Sequence, residues 1–185
     1  MPDNRRFSEL APADMSAEQK RAYDAIVGGP RGGARGPFSA LLRSPELADH
    51  AQKLGAYVRF GSSLPRALNE LAILVTARHW TAQFEWWAHA RLAAEAGLNP
   101  KFIEEIKNSR KPAGMNPDET AVYEFAAELH EKKRVSDAAF EAVKRRFGER
   151  GVIDLIGACG YYTLVSMVLN VERHPLPAGE EHPLK

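Results

Sequence analysis

The chain has 185 residues, 44% of them hydrophobic and 26% charged, and its formal net charge at pH 7 is +1. That length favours one domain with a sizeable core, and near-neutrality removes the bulk electrostatic case for binding nucleic acid or an anionic membrane. A single cysteine, Cys159, excludes an intrachain disulfide and suits the reducing cytoplasm.

Residues 1–16 are polar and hold no apolar stretch of the kind a secretory leader needs, so a cytoplasmic protein is expected. Ser16-Ala17-Glu18-Gln19 has the form of a capping box, which predicts a short helix to about residue 27. Residues 28–36 follow with five glycines, a proline and two arginines. This loop lacks the Lys-Ser/Thr pair of a phosphate loop. It reads first as a mobile connector, and otherwise as a cover for a site or a neighbour.

From residue 37 the apolar spacing is helical, beginning with Phe38, Leu41 and Leu42. Ser44-Pro45-Glu46 has the form of an N-cap with proline at the first helical position, and Leu47, Leu54, Val58 and Phe60 continue the period to Gly61. Ser63-Leu64-Pro65 opens the next helix. Residues 67–80 are apolar apart from Asn69, Glu70, Thr76, Arg78 and His79, as expected of a helix central to its fold. A helix over 83–96 closes at Gly97, and Asn99-Pro100 starts a short one over 101–108. After a loop over 109–116, residues 117–134 are amphipathic, with Val122, Phe125, Ala126 and Leu129 on one face. Ser136-Asp137 caps a helix to Phe147, Gly148 ends it, and 150–171 form the last long helix. The tail, 173–185, has three prolines and no period, and is expected to be extended.

No segment alternates with period two between turn signals. The predicted fold class is therefore all-α, a single-domain bundle of seven or eight helices. Its expected parts are an N-terminal extension over 1–36, a helical domain over 37–172 and the tail over 173–185. The stretch 152–171 is as long as a membrane span. However, it carries Asp154, Asn170, two glycines and a tyrosine pair, so it reads as a buried helix and no membrane association is expected.

Three titratable residues, Glu70, Glu85 and His89, fall in the most apolar part of the chain, where an unpartnered charge is costly. Glu85 and His89 are four apart, which places them on one helix face within hydrogen-bonding reach. A carboxylate there fixes the imidazole's tautomer and raises its basicity, as proton transfer requires. On one continuous helix Glu70 and Glu85 would be separated by roughly 22 Å of rise. A shared site therefore needs a break near 80–82, where Thr81 is the expected N-cap. No His-x-x-x-His pair is present, so no metal is expected. Trp80, Trp86 and Trp87 read as core or interface anchors.

Asn69-Glu70-Leu71-Ala72-Ile73-Leu74-Val75, followed by Phe84-Glu85-Trp86-Trp87-Ala88-His89 and Ala93-Ala94-Glu95-Ala96-Gly97, resembles the carboxymuconolactone decarboxylase-like family, which includes the alkylhydroperoxidase D-type thiol peroxidases. The resemblance implies an all-helical fold with a repeatedly used helical hairpin and a homo-oligomer, a trimer or hexamer. The peroxidase branch places a Cys-x-x-Cys pair before the histidine. By that alignment the two positions are Ala82 and Glu85 here, and neither can form a thiolate or a disulfide. The relay glutamate and the histidine carry over as Glu70 and His89.

The resemblance therefore implies proton-transfer rather than dithiol chemistry. The expected function is a cofactor-independent lyase or isomerase, of decarboxylase type, acting on a small carboxylated or lactone metabolite of the kind met in aromatic catabolism. His89 is the expected general acid, Glu85 orients it, and Glu70 relays protons. Arg78 is one candidate to hold a substrate carboxylate. The alternative is a non-catalytic oligomeric binding protein on the same scaffold. A peroxidase acting through Cys159 is a third and lesser reading. Oligomerisation has two further grounds: the apolar surface of 152–171 exceeds what one bundle side hides, and the tail is suited to lying across a neighbour.

Overall fold

The computed structural model describes residues 4–30 and 32–185. Arg31, one of the two arginines of the glycine-rich loop, lies outside the described residues. The described chain is all-helical: α1 (Ala17–Val27), α2 (Phe38–Leu41), α3 (Pro45–Ala56), α4 (Arg66–His79), α5 (Gln83–Glu95), α6 (Pro100–Lys107), α7 (Pro117–Lys132) and α8 (Asp137–Glu172). A π-helical turn, Tyr57–Gly61, prolongs α3.

Local chemistry accounts for the helix ends. The Ser16 hydroxyl accepts from the Gln19 backbone N–H at 3.2 Å, and the Gln19 side chain accepts from Ser16 N at 2.9 Å, so two unpaired donors are satisfied at once. Asn99 caps α6 and Ser136 caps α8 through their side-chain oxygens. Gly148 has φ 68° and ψ −177°, backbone that only glycine occupies without strain, and it breaks α8 into two limbs. Just beyond the break, a Cβ at Gly151 would collide with that of Phe147.

Helix α4 is the axis of the molecule. Every residue from Leu68 to Ala77 is buried, and α4 packs against α5, α6, α7 and α8. Leu71 and Leu74 join Trp86, Val122, Phe125 and Leu155 in one core. Ile73 turns to a second core with Ile26, Phe38, Val58, Tyr162 and Leu169. The helices before residue 62 thus close over the α4–α8 side of the molecule.

One apolar set points elsewhere than its period suggests, and a second carries the excess apolar surface expected of it. In α3 and the π turn the small residues Ala48, Ala51 and Gly55 face inward with Val58, while Leu47, Leu54 and Phe60 are exposed. The second limb of α8 buries Val152, Leu155, Tyr162, Val165 and Leu169, and exposes Ile153, Ile156, Met167 and Val171. Among the described residues α8 alone is long and apolar enough to cross a membrane, and 56% of that stretch is buried inside the molecule.

The tail is extended. It folds back on its own chain, with Leu184 buried in the core beside α4 and α5. The Gln83 amide clasps the Leu184 peptide in both directions, donating to its carbonyl at 2.9 Å and accepting from its N–H at 2.9 Å.

Candidate active site

The chain breaks between α4 and α5 at Trp80–Ala82, and that break brings Glu70 beside Glu85 and His89. The expected cap does not make the turn. Thr81 adopts φ 48°, a left-handed conformation uncommon for a β-branched residue, and Ala82 occupies the N-cap position without a side-chain bond. The turn is pinned instead from α8. Asn170 Nδ2 donates to the Trp80 carbonyl at 2.8 Å, and Trp80 Nε1 donates to Thr163 Oγ1 at 3.3 Å.

The imidazole of His89 is clamped between two carboxylates. Its Nδ1 lies 2.7 Å from Glu70 Oε2 and its Nε2 lies 2.9 Å from Glu85 Oε1. The three residues are only 4–5% exposed. Burial alone would push the ring towards its neutral form. The charge of Glu85, then the hydrogen bonds to Glu70 and Glu85, outweigh it and raise the His89 pKa to about 9. At neutral pH the ring is therefore an imidazolium that donates both N–H groups, one to each carboxylate.

These groups form a line from the core to a cavity of about 640 Å³, a volume suited to a small metabolite. Glu85 and His89 line the cavity together with Arg59, Trp87, Tyr161 and Tyr162. Glu70 does not reach it and stands behind His89. The glycine-rich loop walls one side through Gly33, Arg35 and Gly36. Gly36 has φ 61°, and a Cβ there would sit 3.0 Å from the Phe84 ring, so the loop's close approach requires glycine.

Two residues that the sequence reading passed over complete this wall. The Tyr162 ring meets His89 edge-on at 4.8 Å, and its hydroxyl is buried with no partner among the described residues. Burial, with the negative charge of Glu85, pushes the phenol well above its ordinary pKa, while Arg59 opposes. The hydroxyl thus stays protonated and is available as a donor. Arg59 is one of three arginines that line the cavity, with Arg35 and Arg91, and makes no ion pair among the described residues. The only sequence signal for either was position: a tyrosine in the most apolar helix and an arginine in an apolar run.

Arg78, one candidate cation in the sequence, belongs elsewhere. Its guanidinium donates to Ser109 Oγ at 2.7 Å and to the Lys185 carbonyl at 2.9 Å. It lines a separate cavity of about 300 Å³ with His79, Tyr123 and His130. His79 stacks on His130 with centroids 4.9 Å apart. Trp86 is a core residue, whereas Trp87 lines the larger cavity. Cys159 is 1% exposed, and burial pushes its thiol up to about 12, so it carries no thiolate at neutral pH.

A second carboxylate–imidazole pair stands at the same cavity and was absent from the sequence reading. Glu172 ends α8 and is buried; its Oε1 lies 2.9 Å from Ser39 Oγ and its Oε2 lies 3.2 Å from His174 Nδ1. Ser39 and His174 both line the cavity.

In fold the chain is similar to a peroxidase-related protein of Ralstonia eutropha with an alkylhydroperoxidase AhpD core (TM-score 0.78, 14% identity, 96% of this chain and 95% of that one). It is similar to the debrominase Bmp8 in its apo form (TM-score 0.71, 13% identity, 95% and 94%). It is also similar to a protein of unknown function from Agrobacterium tumefaciens (TM-score 0.63, 17% identity, 78% and 99%). No family model matches the sequence, and no curated protein matches it. At these identities the likeness establishes the architecture: this chain has the alkylhydroperoxidase D-like fold.

Proposed function

We propose that the protein is a cofactor-independent acid–base enzyme, a lyase or isomerase acting on a small lactone or carboxylated carbonyl compound. One observation carries this reading: the Glu70–His89–Glu85 line ends at a metabolite-sized cavity with an acid–base group where a dithiol peroxidase would present sulfur. Loss of carbon dioxide or of a proton next to a carbonyl leaves an enolate, whose negative oxygen needs a donor and whose carbon needs a proton. The Tyr162 hydroxyl and the Arg59 guanidinium supply the first. Glu85, backed by the His89 imidazolium, supplies and takes the second. Glu70 holds the far side of the ring and keeps its charge.

The test is turnover by the purified chain on a panel of γ-lactones and β-keto acids. E85Q and H89Q are expected to lower it at least about a hundredfold. Unchanged turnover in both variants would sink the assignment of roles. Binding of panel compounds without chemistry would favour the non-catalytic reading.

The homo-oligomer has a candidate face on this fold. Between residues 153 and 171 the exposed positions of α8 are Ile153, Ile156, Gly160, Met167, Asn170 and Val171, with no charge among them. A row of this kind fits a second copy better than water. Sedimentation of the wild type as a trimer or hexamer, and of I156E as a smaller species, is the expected outcome. A wild-type monomer at micromolar concentration contradicts it.

A further inference from the structure

The Glu172–His174 pair occupies an expensive position. Its carboxylate is 1% exposed and sits at the C-terminal end of a long helix, where the backbone dipole already disfavours negative charge. Its oxygens are taken by the Ser39 hydroxyl and by His174 Nδ1. A carboxylate on Nδ1 fixes the ring's tautomer and orientation and leaves Nε2 as the working nitrogen. His174 is itself mostly shielded, with 12% of its side chain exposed, and lines the cavity of Glu85 and His89. Phe84 immediately precedes Glu85 and turns its ring edge-on to His174 at 4.5 Å, so the two acid–base pairs share one wall. Arg173 holds φ 61° between Glu172 and His174, and this left-handed residue reverses the chain and carries the imidazole to the cavity.

We infer that His174, oriented by Glu172, is a second acid–base group of this cavity, and that the substrate is one needing two proton transfers at different atoms. This rests on the acid–base reading above and adds to it the reaction class: a 1,3-proton shift in an unsaturated lactone or acid. Glu85 takes the proton from the carbon beside the carbonyl. The C–H electron pair passes into a dienolate, whose oxygen faces Tyr162 and Arg59. His174, as the imidazolium with its Nδ1–H on Glu172, then delivers its Nε2 proton to the γ-carbon, the double bond moves into conjugation, and the proton held by Glu85 passes through solvent to recharge His174. One proton leaves the substrate and one enters, with no oxidant or reductant.

The test uses the full chain with two readouts. The first is α-angelica lactone in D₂O, followed by proton NMR. Wild type is expected to exchange the protons beside the carbonyl and to form the conjugated isomer. E85Q should do neither. H174Q should keep the exchange within about threefold while isomer formation falls at least tenfold. The second is the ¹⁵N resonance of His174 Nε2 in wild type and E85Q titrated with acetoacetate, which is expected to shift on saturation in both. Isomer formation at the wild-type rate in H174Q overturns the role of His174 and leaves the Glu85 chemistry standing. An inert lactone with a responding Nε2 overturns the reaction class and leaves His174 as a ligand group. An Nε2 that does not respond overturns the site, and that readout stands on the wild-type chain whether or not H174Q folds.

Discussion

Two buried histidines contact different faces of α4, and their surroundings drive them in opposite directions. His89 meets Glu70 and is sandwiched by Glu85; it is raised to about 9. His130, on α7, meets Thr76 Oγ1 at 2.8 Å, and burial first, then the nearby His79 and Lys133, push it down to about 4. Thr76 donates its hydroxyl proton to the Ala72 carbonyl at 2.9 Å, so it accepts from His130, which is held neutral with its proton on Nε2. Both rings are buried, at 4% and 7% exposure, but His130 lines the cavity of about 300 Å³ and lies nearer solvent. Burial pushes both rings towards neutrality; at His89 the carboxylates overcome it, and at His130 no partner does. A charged ring bracketed by carboxylates stands beside a cavity, while a neutral ring on a hydroxyl ties α7 to α4.

The largest effect should come from removing each ring. H89Q leaves two buried carboxylates without their cation, a loss expected to cost about 3–5 kcal/mol. For a chain of this size that is a fall in Tm on the order of 10 °C. H130Q retains a donor for Thr76 and should cost about 1 kcal/mol. Calorimetry on the two variants separates the cases, and equal losses would show that His89 is a packing residue like His130.

Much of this comparison could not be read from the sequence. Glu70, Glu85 and His89 stood out because three titratable groups interrupted an apolar run, and the pairing of Glu85 with His89 followed from helical spacing alone. Local signals were equally legible: the Ser16 capping box, Asn99-Pro100, Ser136, and Gly148 between the limbs of α8. Failures came where long-range packing chooses. Periodicity groups Leu47 with Leu54 but does not say that Ala48 and Ala51 will take the inside. Arg78 was near the histidine in sequence, yet the helix turns it to Ser109 and the tail. Arg59, Tyr162, Ser39, Glu172 and His174 come from four separate segments, and no spacing rule joins them.

Next in size is the dependence of stability on pH. His89 has a folded pKa above its unfolded value near 6.5, so its contribution is complete below pH 6.5 and is lost as pH rises through about 9. His130 has a folded pKa below that value, so its contribution is present above pH 6.5 and is lost as pH falls through about 4. The first term is about 3 kcal/mol by the linkage of pKa to free energy. The second is smaller, about 1–2 kcal/mol, because that ring is partly screened by solvent. Stability from these two groups is expected to peak near pH 6.5. H89Q should flatten the alkaline side and H130Q the acid side, and a profile unaltered by either contradicts the opposed shifts. E70Q sharpens the contrast by making His89 more like His130: its pKa, read by NMR, should fall by at least about one unit.

Cysteine chemistry gives a smaller contrast, one of absence. Cys159 belongs to the same core as Leu155 and Val122, and its thiol meets Thr76, the partner of His130. C159S should leave any peroxide consumption at the wild-type rate, with a stability loss of about 1 kcal/mol from the buried hydroxyl. Peroxide consumption abolished by this change would move the candidate active centre from the cavity to the core.

The smallest effect concerns the turn that makes the His89 site possible and has no counterpart at His130. Thr81 holds a left-handed φ of 48°, which costs a β-branched residue about 1–2 kcal/mol. Glycine would remove that strain but would release more backbone entropy on unfolding, by about 0.5–1 kcal/mol. The difference favours T81G by about 0.5 kcal/mol, or a rise in Tm of about 1–2 °C. T81N, which tolerates the same backbone without glycine's entropy, should gain at least as much. Because Asn170 and Thr163 pin the turn from α8, neither change should alter the hydrogen bonds of His89, and its pKa should stay where it is. A lower Tm in both variants would mean that the threonine side chain, rather than the turn's anchors, holds Glu70 against His89.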